Sequence, residues 1–151
     1  MSALVVGVGN RMRRDDGAGP AVADGVRRSR PDLDVDEVTG DASRLLDLWA
    51  GRELVVLVDA VRSGGAPGEL HRWELRDGSW LTAMPESLVS SHLVGVLDTV
   101  DLARALDRLP GRLVVVGVEV VDLGDGEGLS EVVAAAVDDA VAVVLDAVDR
   151  S

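Results

Sequence analysis

Hydrophobic and polar residues alternate along this chain in blocks that predict strands and helices in turn. Three short runs are apolar at nearly every position: ALVVGVGN (3–10), ELVVLVDAV (53–61) and RLVVVGVEVV (112–121). Such valine-rich runs are typical of strands that are buried on both faces of a sheet. Residues 33–39 and 69–78 instead alternate between apolar and polar positions, which predicts two strands that are each half exposed.

The segments between these strands predict helices. They cover residues 19–31, 42–51, 90–111 and 129–149. A serine of the Ser-Ser pair at 90–91 is expected to cap the third helix, and Ser130 is expected to cap the fourth. Pro110-Gly111 is expected to end the third helix. The expected apolar face of the third helix includes Leu93, Leu97, Val100 and Leu106. Residues 79–91 are expected to be otherwise irregular.

This order of elements predicts an α/β fold. We expect a three-layer α/β/α sandwich, whose twisted and mostly parallel sheet has about five strands and one antiparallel edge strand, 69–78. The 151 residues fit one domain that spans 1–151. Ligands of such folds bind at the carboxyl ends of the strands. The loops at 9–17, 59–68 and 121–129 are therefore the places to look for a site.

Composition excludes several classes of function. The formal net charge is −12, and no basic stripe is present, so nucleic acid and anionic membrane surfaces are not expected partners. The absence of cysteine excludes disulfides, zinc–thiolate sites and cysteine nucleophiles. We find no signal peptide and no segment long enough to span a membrane, and we therefore expect the cytoplasm as the location.

The loop GVGNRMRRDDGAG (7–19) looks at first like a phosphate-binding turn. Met12, however, stands where the dinucleotide fingerprint needs its third glycine, and Asp15 and Asp16 would repel a pyrophosphate. A receiver domain of a response regulator is a second possibility, since it also carries acids after the first strand. That class needs a lysine after its fifth strand, and this chain has no lysine.

Three separated residues form a sharper candidate site. Asp16 lies in the glycine-rich loop, Asp59 ends an apolar run, and His92 begins a predicted helix. Two carboxylates and one imidazole suit a divalent transition metal such as nickel or zinc, and three protein ligands leave positions for water or substrate. Each residue also has an ordinary structural interpretation, as a cap, a turn former or a partly exposed histidine, and spacing alone does not show that the three converge.

Two further residues have mainly structural interpretations. Asp15 precedes the first helix, where a carboxylate favours the helix dipole. His71 lies in an alternating strand, and we interpret it as structural or solvated.

The chain resembles the hydrogenase maturation proteases, the nickel-dependent endopeptidases that process the large subunit of NiFe hydrogenases. Four blocks carry the resemblance, in order along nearly the whole chain: GVGNRMRRDDGAG, VDAVRSGGAPGEL, SSHLVGV and VVVGVEVVDLGDGEGLSEVV. One departure is TGDASRLL (39–46), which lacks the Gly-Gly-Thr-x-Gly pattern of many members. This departure bears on the choice of substrate more than on metal binding.

The resemblance implies specific roles. It places the metal ligands of the family on Asp16, Asp59 and His92, with nickel supplied by the substrate and other divalent metals able to occupy the site. Asp15 would orient a ligand or accept a proton. The implied substrate is a large-subunit precursor that carries nickel, from which the enzyme removes a C-terminal extension. We expect the substrate loops to contain Gly9, Asn10, Gly64, Gly65 and Gly68.

Two questions stay open at this point. The main alternative to a protease is a non-catalytic nickel-binding assembly chaperone on the same fold. The oligomeric state is either a monomer or a homodimer, because an exposed edge strand could pair with a second copy.

Overall fold

The computed structural model describes residues 2–39, 43–81, 84, 85, 88 and 92–150. Within them, strands form one sheet in the order β2-β1-β3-β6-β4-β5. The strands are β1 (Ala3–Val8), β2 (Asp34–Val38), β3 (Leu54–Val61), β4 (Leu70–Arg76), β5 (Ser79–Trp80) and β6 (Arg112–Glu119). The first three and β6 run parallel, while β4 is antiparallel to both β6 and β5.

Helices cover both faces of this sheet. They are α1 (Ala18–Ser29), α2 (Arg44–Trp49), α3 (Leu93–Ala105) and α4 (Glu131–Asp149). Alternate residues of β3 point to opposite sides: Val56 packs in a core with α1 and α4, and Leu57 packs in a second core with α2 and α3. The predicted three-layer sandwich is therefore confirmed, and valine fills most of both cores. None of the helices in the described ranges is long and apolar enough to cross a membrane.

The sheet differs from the prediction at one edge. The described residues contain six strands rather than about five, and β5 lies outside β4, so β4 is antiparallel but is not the edge strand. Asp77 and Gly78 both have positive φ and form the two-residue turn between β4 and β5. An Asp-Gly pair is a strong hairpin signal. The prediction of an irregular segment from residue 79 onward was wrong at Ser79–Trp80 for this reason.

Helix α3 ends earlier than predicted. It stops at Ala105, because Asp107 takes a left-handed conformation and the Arg108 N–H donates to the Ala103 carbonyl over 2.8 Å. This is a Schellman ending, so Pro110-Gly111 is not the stop signal. Leu106 is exposed rather than part of the apolar face. His92 occupies the N-cap position, and the serines at 90–91 that were expected to cap the helix lie outside the described residues.

A short 3-10 helix (Arg14–Gly17), which the pattern did not predict, connects β1 to α1. Gly19 brings α1 against the sheet, since a Cβ there would clash with the carbonyl oxygens of Val8 and Val58. A side chain at this position would push the helix away from both strands. The close approach holds the 3-10 helix, with Asp15 and Asp16, at the carboxyl edge of the sheet.

Candidate functional site

Gly9 and Asn10 shape the loop that carries Asp16. Gly9 has a φ of 150°, and a Cβ at this position would clash with the carbonyl oxygen of Asp16. The Asn10 N–H donates to Asp16 Oδ2 over 3.0 Å, and Asn10 Oδ1 accepts from the Met12 N–H over 2.9 Å. The contacts of both residues fix Asp16 within the loop. Their expected role toward substrate stays a prediction.

Asp16 and His92 are in direct contact. His92 Nε2 lies 3.1 Å from Asp16 Oδ2, and the two residues are 8% and 2% exposed. Asp59, near the end of β3, is 1% exposed, and its negative charge acts on His92. The fold thus brings Asp16 and His92 into contact although they are 76 positions apart, and the charge of Asp59 in β3 reaches His92.

Electrostatic interactions shift the pKa values of His92 and Asp16. The hydrogen bond to Asp16 raises the pKa of His92, burial opposes this, and the charge of Asp59 adds to the rise. Burial alone would raise the pKa of Asp16, but its hydrogen bond to His92, the charge of His92 and the Asn10 N–H together lower it. Arg13, a residue that the sequence did not single out, lowers both pKa values through its positive charge.

The donor chemistry of this cluster fits a divalent transition metal, although its present arrangement is not that of a metal centre. Within the described ranges, no group of three or more His, Cys, Asp or Glu side chains is arranged to hold an ion. Instead, His92 Nε2 and Asp16 Oδ2 lie 3.1 Å apart and share a hydrogen bond. A cation would have to replace that hydrogen bond.

Asp15 points away from this cluster and anchors other loops. It is 0% exposed and accepts hydrogen bonds from the N–H groups of Val121 (3.2 Å), Asp122 (2.9 Å) and Ser130 (2.7 Å), and from the Ser130 hydroxyl (2.9 Å). Burial would raise the pKa of Asp15, but these donors outweigh it and lower the pKa. Ser130 is the N-cap residue of α4, as predicted. Its hydroxyl, however, donates to Asp15 and makes no capping hydrogen bond to its own helix.

Arg14 strengthens the same connection. Its φ is 50°, which is uncommon for a residue with a side chain. Arg14 Nε lies 3.2 Å from Asp122 Oδ2, and Nη1 donates to the Glu127 carbonyl over 2.9 Å. The loop after β6 is thereby fastened to the 3-10 helix, next to Asp16.

A second cluster, centred on a buried acid, was not anticipated from the sequence. Glu119, the last residue of β6, is 2% exposed, and its Oε1 lies 2.9 Å from His71 Nε2 and also accepts the Ser63 hydroxyl. The sequence did contain a signal: Glu119 interrupts an apolar run at the end of a strand, as Asp59 does. His71 stacks on Trp73 and is indeed structural, but it is bonded to a buried acid rather than solvated.

The Ser63, His71 and Glu119 side chains do not form a catalytic triad. In a triad, one imidazole nitrogen faces the serine and the other faces the acid. Here His71 Nε2 faces both, at 3.3 Å from Ser63 Oγ and 2.9 Å from Glu119, and the serine donates to the acid. Ser63 therefore lacks the imidazole base of a triad, and the Glu119 carboxylate holds its hydroxyl.

The three glycines of the predicted substrate loop differ in their surroundings. Gly64 (φ 88°) is exposed, and a Cβ there would meet nothing within 4 Å. A Cβ at Gly65 would clash with Glu69 and lie 3.1 Å from Glu119 Oε1, while one at Gly68 (φ 86°) would lie 3.1 Å from the Val132 carbonyl. Gly64 alone of the three leaves open space, and the role of all three toward substrate stays a prediction.

Comparison with known proteins gives a consistent result. A family model described as hydrogenase maturation protease matches residues 35–147, a range that contains Asp59 and His92. The Hydrogenase 2 maturation protease of Escherichia coli K12 is 31% identical over 156 residues, which cover 100% of this chain and 93% of that protein.

Solved structures of similar proteins share the fold. The hydrogenase maturating endopeptidase HybD from E. coli has a TM-score of 0.82 and 27% identity, covering 99% of this chain and 93% of that one. The NiFe hydrogenase maturation protease HybD from Thermococcus kodakarensis has a TM-score of 0.81 and 28% identity, covering 97% and 98%.

Proposed function

The chain belongs to the hydrogenase maturation protease family, and from this premise we propose that it is a nickel-dependent endopeptidase. Its substrate is the large-subunit precursor of a NiFe hydrogenase, from which it removes a C-terminal extension. The nickel arrives with the precursor. The observation that carries this proposal is the buried contact between Asp16 and His92, within the field of Asp59.

The donor set supports the choice of metal. Nickel accepts imidazole nitrogen and carboxylate oxygen, and three protein ligands leave coordination positions for the precursor. When bound, nickel supplies a Lewis acid that polarises the scissile carbonyl or activates a water. Asp16, Asp59 and His92 would hold it, and His92 would have to be neutral at Nε2 to do so. The Asn10 N–H keeps Asp16 oriented throughout.

Asp15 is a positioning residue in this proposal. Among the described residues, its hydrogen-bond donors come from the loop after β6 and from the start of α4, and they lower its pKa. A carboxylate that is held in this way is a weak proton acceptor. Its effect is to fix the 3-10 helix so that Asp16 faces His92, which is the kind of support that metal ligands commonly need.

The decisive experiment uses a nickel-loaded large-subunit precursor. The protein is incubated with it, and mass spectrometry follows the loss of the C-terminal peptide. We expect cleavage by the native chain, and none of a precursor that lacks nickel. Asp59→Asn should abolish cleavage, while Asp101→Asn, which changes an exposed aspartate of α3 that pairs with Arg104, serves as the matched control.

Two results would contradict the proposal in different ways. Binding of nickel-loaded precursor without cleavage would identify the chain as an assembly chaperone. Cleavage that survives alanine at Asp16, Asp59 and His92 would show that the site lies elsewhere.

A further inference from the structure

Glu119 holds both ends of one loop. Its carboxylate accepts the Ser63 N–H, at 3.0 Å from Oε1 and 3.3 Å from Oε2, together with the Ser63 hydroxyl. Its backbone carbonyl accepts the Gly68 N–H over 2.8 Å, and its own N–H donates to the Glu69 carbonyl over 2.9 Å. The chain from Ser63 to Glu69, which we call the β3–β4 loop, is thus fastened at its start by a side chain and at its end by the backbone.

This loop lies at the edge of the sheet that carries the candidate site. It begins two residues after β3, and Asp59 belongs to that strand. Val61, the last residue of β3, pairs with Glu119 of β6. The loop therefore leaves the sheet next to the Glu119 carboxylate. Gly64, Ala66 and Pro67 are exposed. Because these residues carry small side chains or none, they offer a surface that a polypeptide backbone can approach closely.

A buried glutamate at this position needs an explanation. Residues 113–118 of β6 are all buried, and all of them except Gly117 carry apolar side chains. A valine at 119 would continue this pattern. Burying a carboxylate costs free energy that hydrogen bonds only offset. Burial raises the pKa of Glu119, but the donors on Ser63 and His71 outweigh it and keep the carboxylate ionised at neutral pH. The ionised Glu119 carboxylate accepts the donors that hold the β3–β4 loop in place.

We propose that Glu119 is a positioning residue for substrate, holding the β3–β4 loop in the conformation that receives an extended segment of the precursor beside Asp59. His71 orients the Glu119 carboxylate. Because Ser63 is bonded to that carboxylate and directly precedes Gly64, the bond also fixes the position of Gly64. This inference rests on the proposed function and adds a binding surface to it. It places no group of Glu119, His71 or Ser63 on the reacting atoms.

The test measures binding and catalysis separately. Glu119→Gln keeps the size of the side chain but replaces one acceptor oxygen by an amide. We expect the KM for the precursor to rise about tenfold, the usual scale for losing a hydrogen bond to a charged group, with kcat within about twofold of the native value. Nickel binding should be unchanged. Amide hydrogen exchange should become faster in residues 63–69.

Two other variants complete the design. Glu53→Gln removes an exposed carboxylate just before β3, at the opposite edge of the sheet, and should change neither KM nor loop exchange. Ser63→Ala removes the hydroxyl but keeps the backbone donor, and should raise KM by a smaller factor than Glu119→Gln. It also tests the inference if the Glu119 variant fails to fold. Direct titration with an uncleaved precursor gives the affinity independently of turnover.

The outcomes separate this inference from the proposed function. Cleavage by the native chain with an unchanged KM in both loop variants overturns the inference alone, as does a fall confined to kcat. If the native chain does not cleave the precursor, but Glu119→Gln and Ser63→Ala both bind it more weakly than the native chain does, the proposed peptidase activity is overturned and the inference about the β3–β4 loop is supported. A native chain that neither cleaves nor binds the precursor overturns both.

Discussion

Two carboxylate–histidine pairs, each with a buried acid, lie at the same edge of the sheet, and their surroundings differ. In the first, His92 bonds Asp16, and this hydrogen bond together with the negative charge of Asp59 raises the pKa of His92. In the second, His71 contacts Glu119, whose carboxylate also accepts the N–H and hydroxyl of Ser63. We propose the first pair as part of a cation site, whereas the carboxylate of the second accepts the N–H and hydroxyl of Ser63. A buried acid beside a histidine is thus not enough to indicate a metal site.

The largest expected effect contrasts the two histidines. If His92 is a metal ligand as proposed, His92→Ala should lower precursor cleavage at least about a thousandfold, since its loss would remove several kcal/mol of transition-state stabilisation. His71→Ala should lower it about tenfold or less, through KM. Single-turnover and steady-state cleavage assays measure both. Equal losses in the two variants would remove the distinction between the pairs.

The next effect contrasts two glycines. Gly9→Ala should destabilise the protein by about 3 kcal/mol or more, because the added methyl clashes with the Asp16 carbonyl as well as straining the backbone. Gly64→Ala should cost about 1–2 kcal/mol, since the methyl points into open space and only the positive φ is unfavourable. Urea unfolding of both variants gives the comparison. If Gly64→Ala were the more damaging change, the described geometry of these loops would be wrong.

Asp15 tests how far anchoring alone affects metal affinity. Asp15→Asn turns one acceptor into a donor that faces the N–H groups of the loop after β6 and of Ser130. We expect nickel affinity to fall about 10–100-fold, the range for residues that orient metal ligands, with the fold retained. Glu119→Gln should leave nickel affinity unchanged. Isothermal titration with nickel checks both, and an unaffected Asp15→Asn variant would exclude Asp15 from the site.

The smallest effect concerns pH. The pKa of Glu119 in the folded protein lies below its ordinary value of 4.5, so its ionisation stabilises the fold above that pH, and the gain disappears as the pH falls through the folded value. We expect Glu119→Gln to lower the free energy of unfolding by about 1.5 kcal/mol at pH 7. The difference should diminish below pH 4.5. A difference that stayed constant from pH 7 to pH 3.5 would show that the carboxylate charge contributes nothing.

Most of the fold could be predicted because it depends on local pattern. Valine-rich runs identified β1, β3 and β6, and the alternation of strands and helices identified the three layers. The errors arose where short-range turn chemistry decided the outcome: Asp77-Gly78 made an additional hairpin, and the left-handed Asp107 ended α3 before Pro110. Those conformations depend on one or two residues, whose signals are weaker than a long apolar run.

By itself, the sequence determined the α/β architecture and the family resemblance, and it singled out Asp16, Asp59 and His92, of which the structure brings Asp16 and His92 into contact. Only the tertiary structure decided which acid has which neighbours. Asp15 bonds Ser130, 115 positions away, and Glu119 bonds Ser63, 56 positions away. The physical reason is that parallel strands bring distant loops to one edge, and the register between them selects the atoms that meet. Residue type and spacing carry no record of that register, so two similar carboxylates could be told apart only in the folded chain.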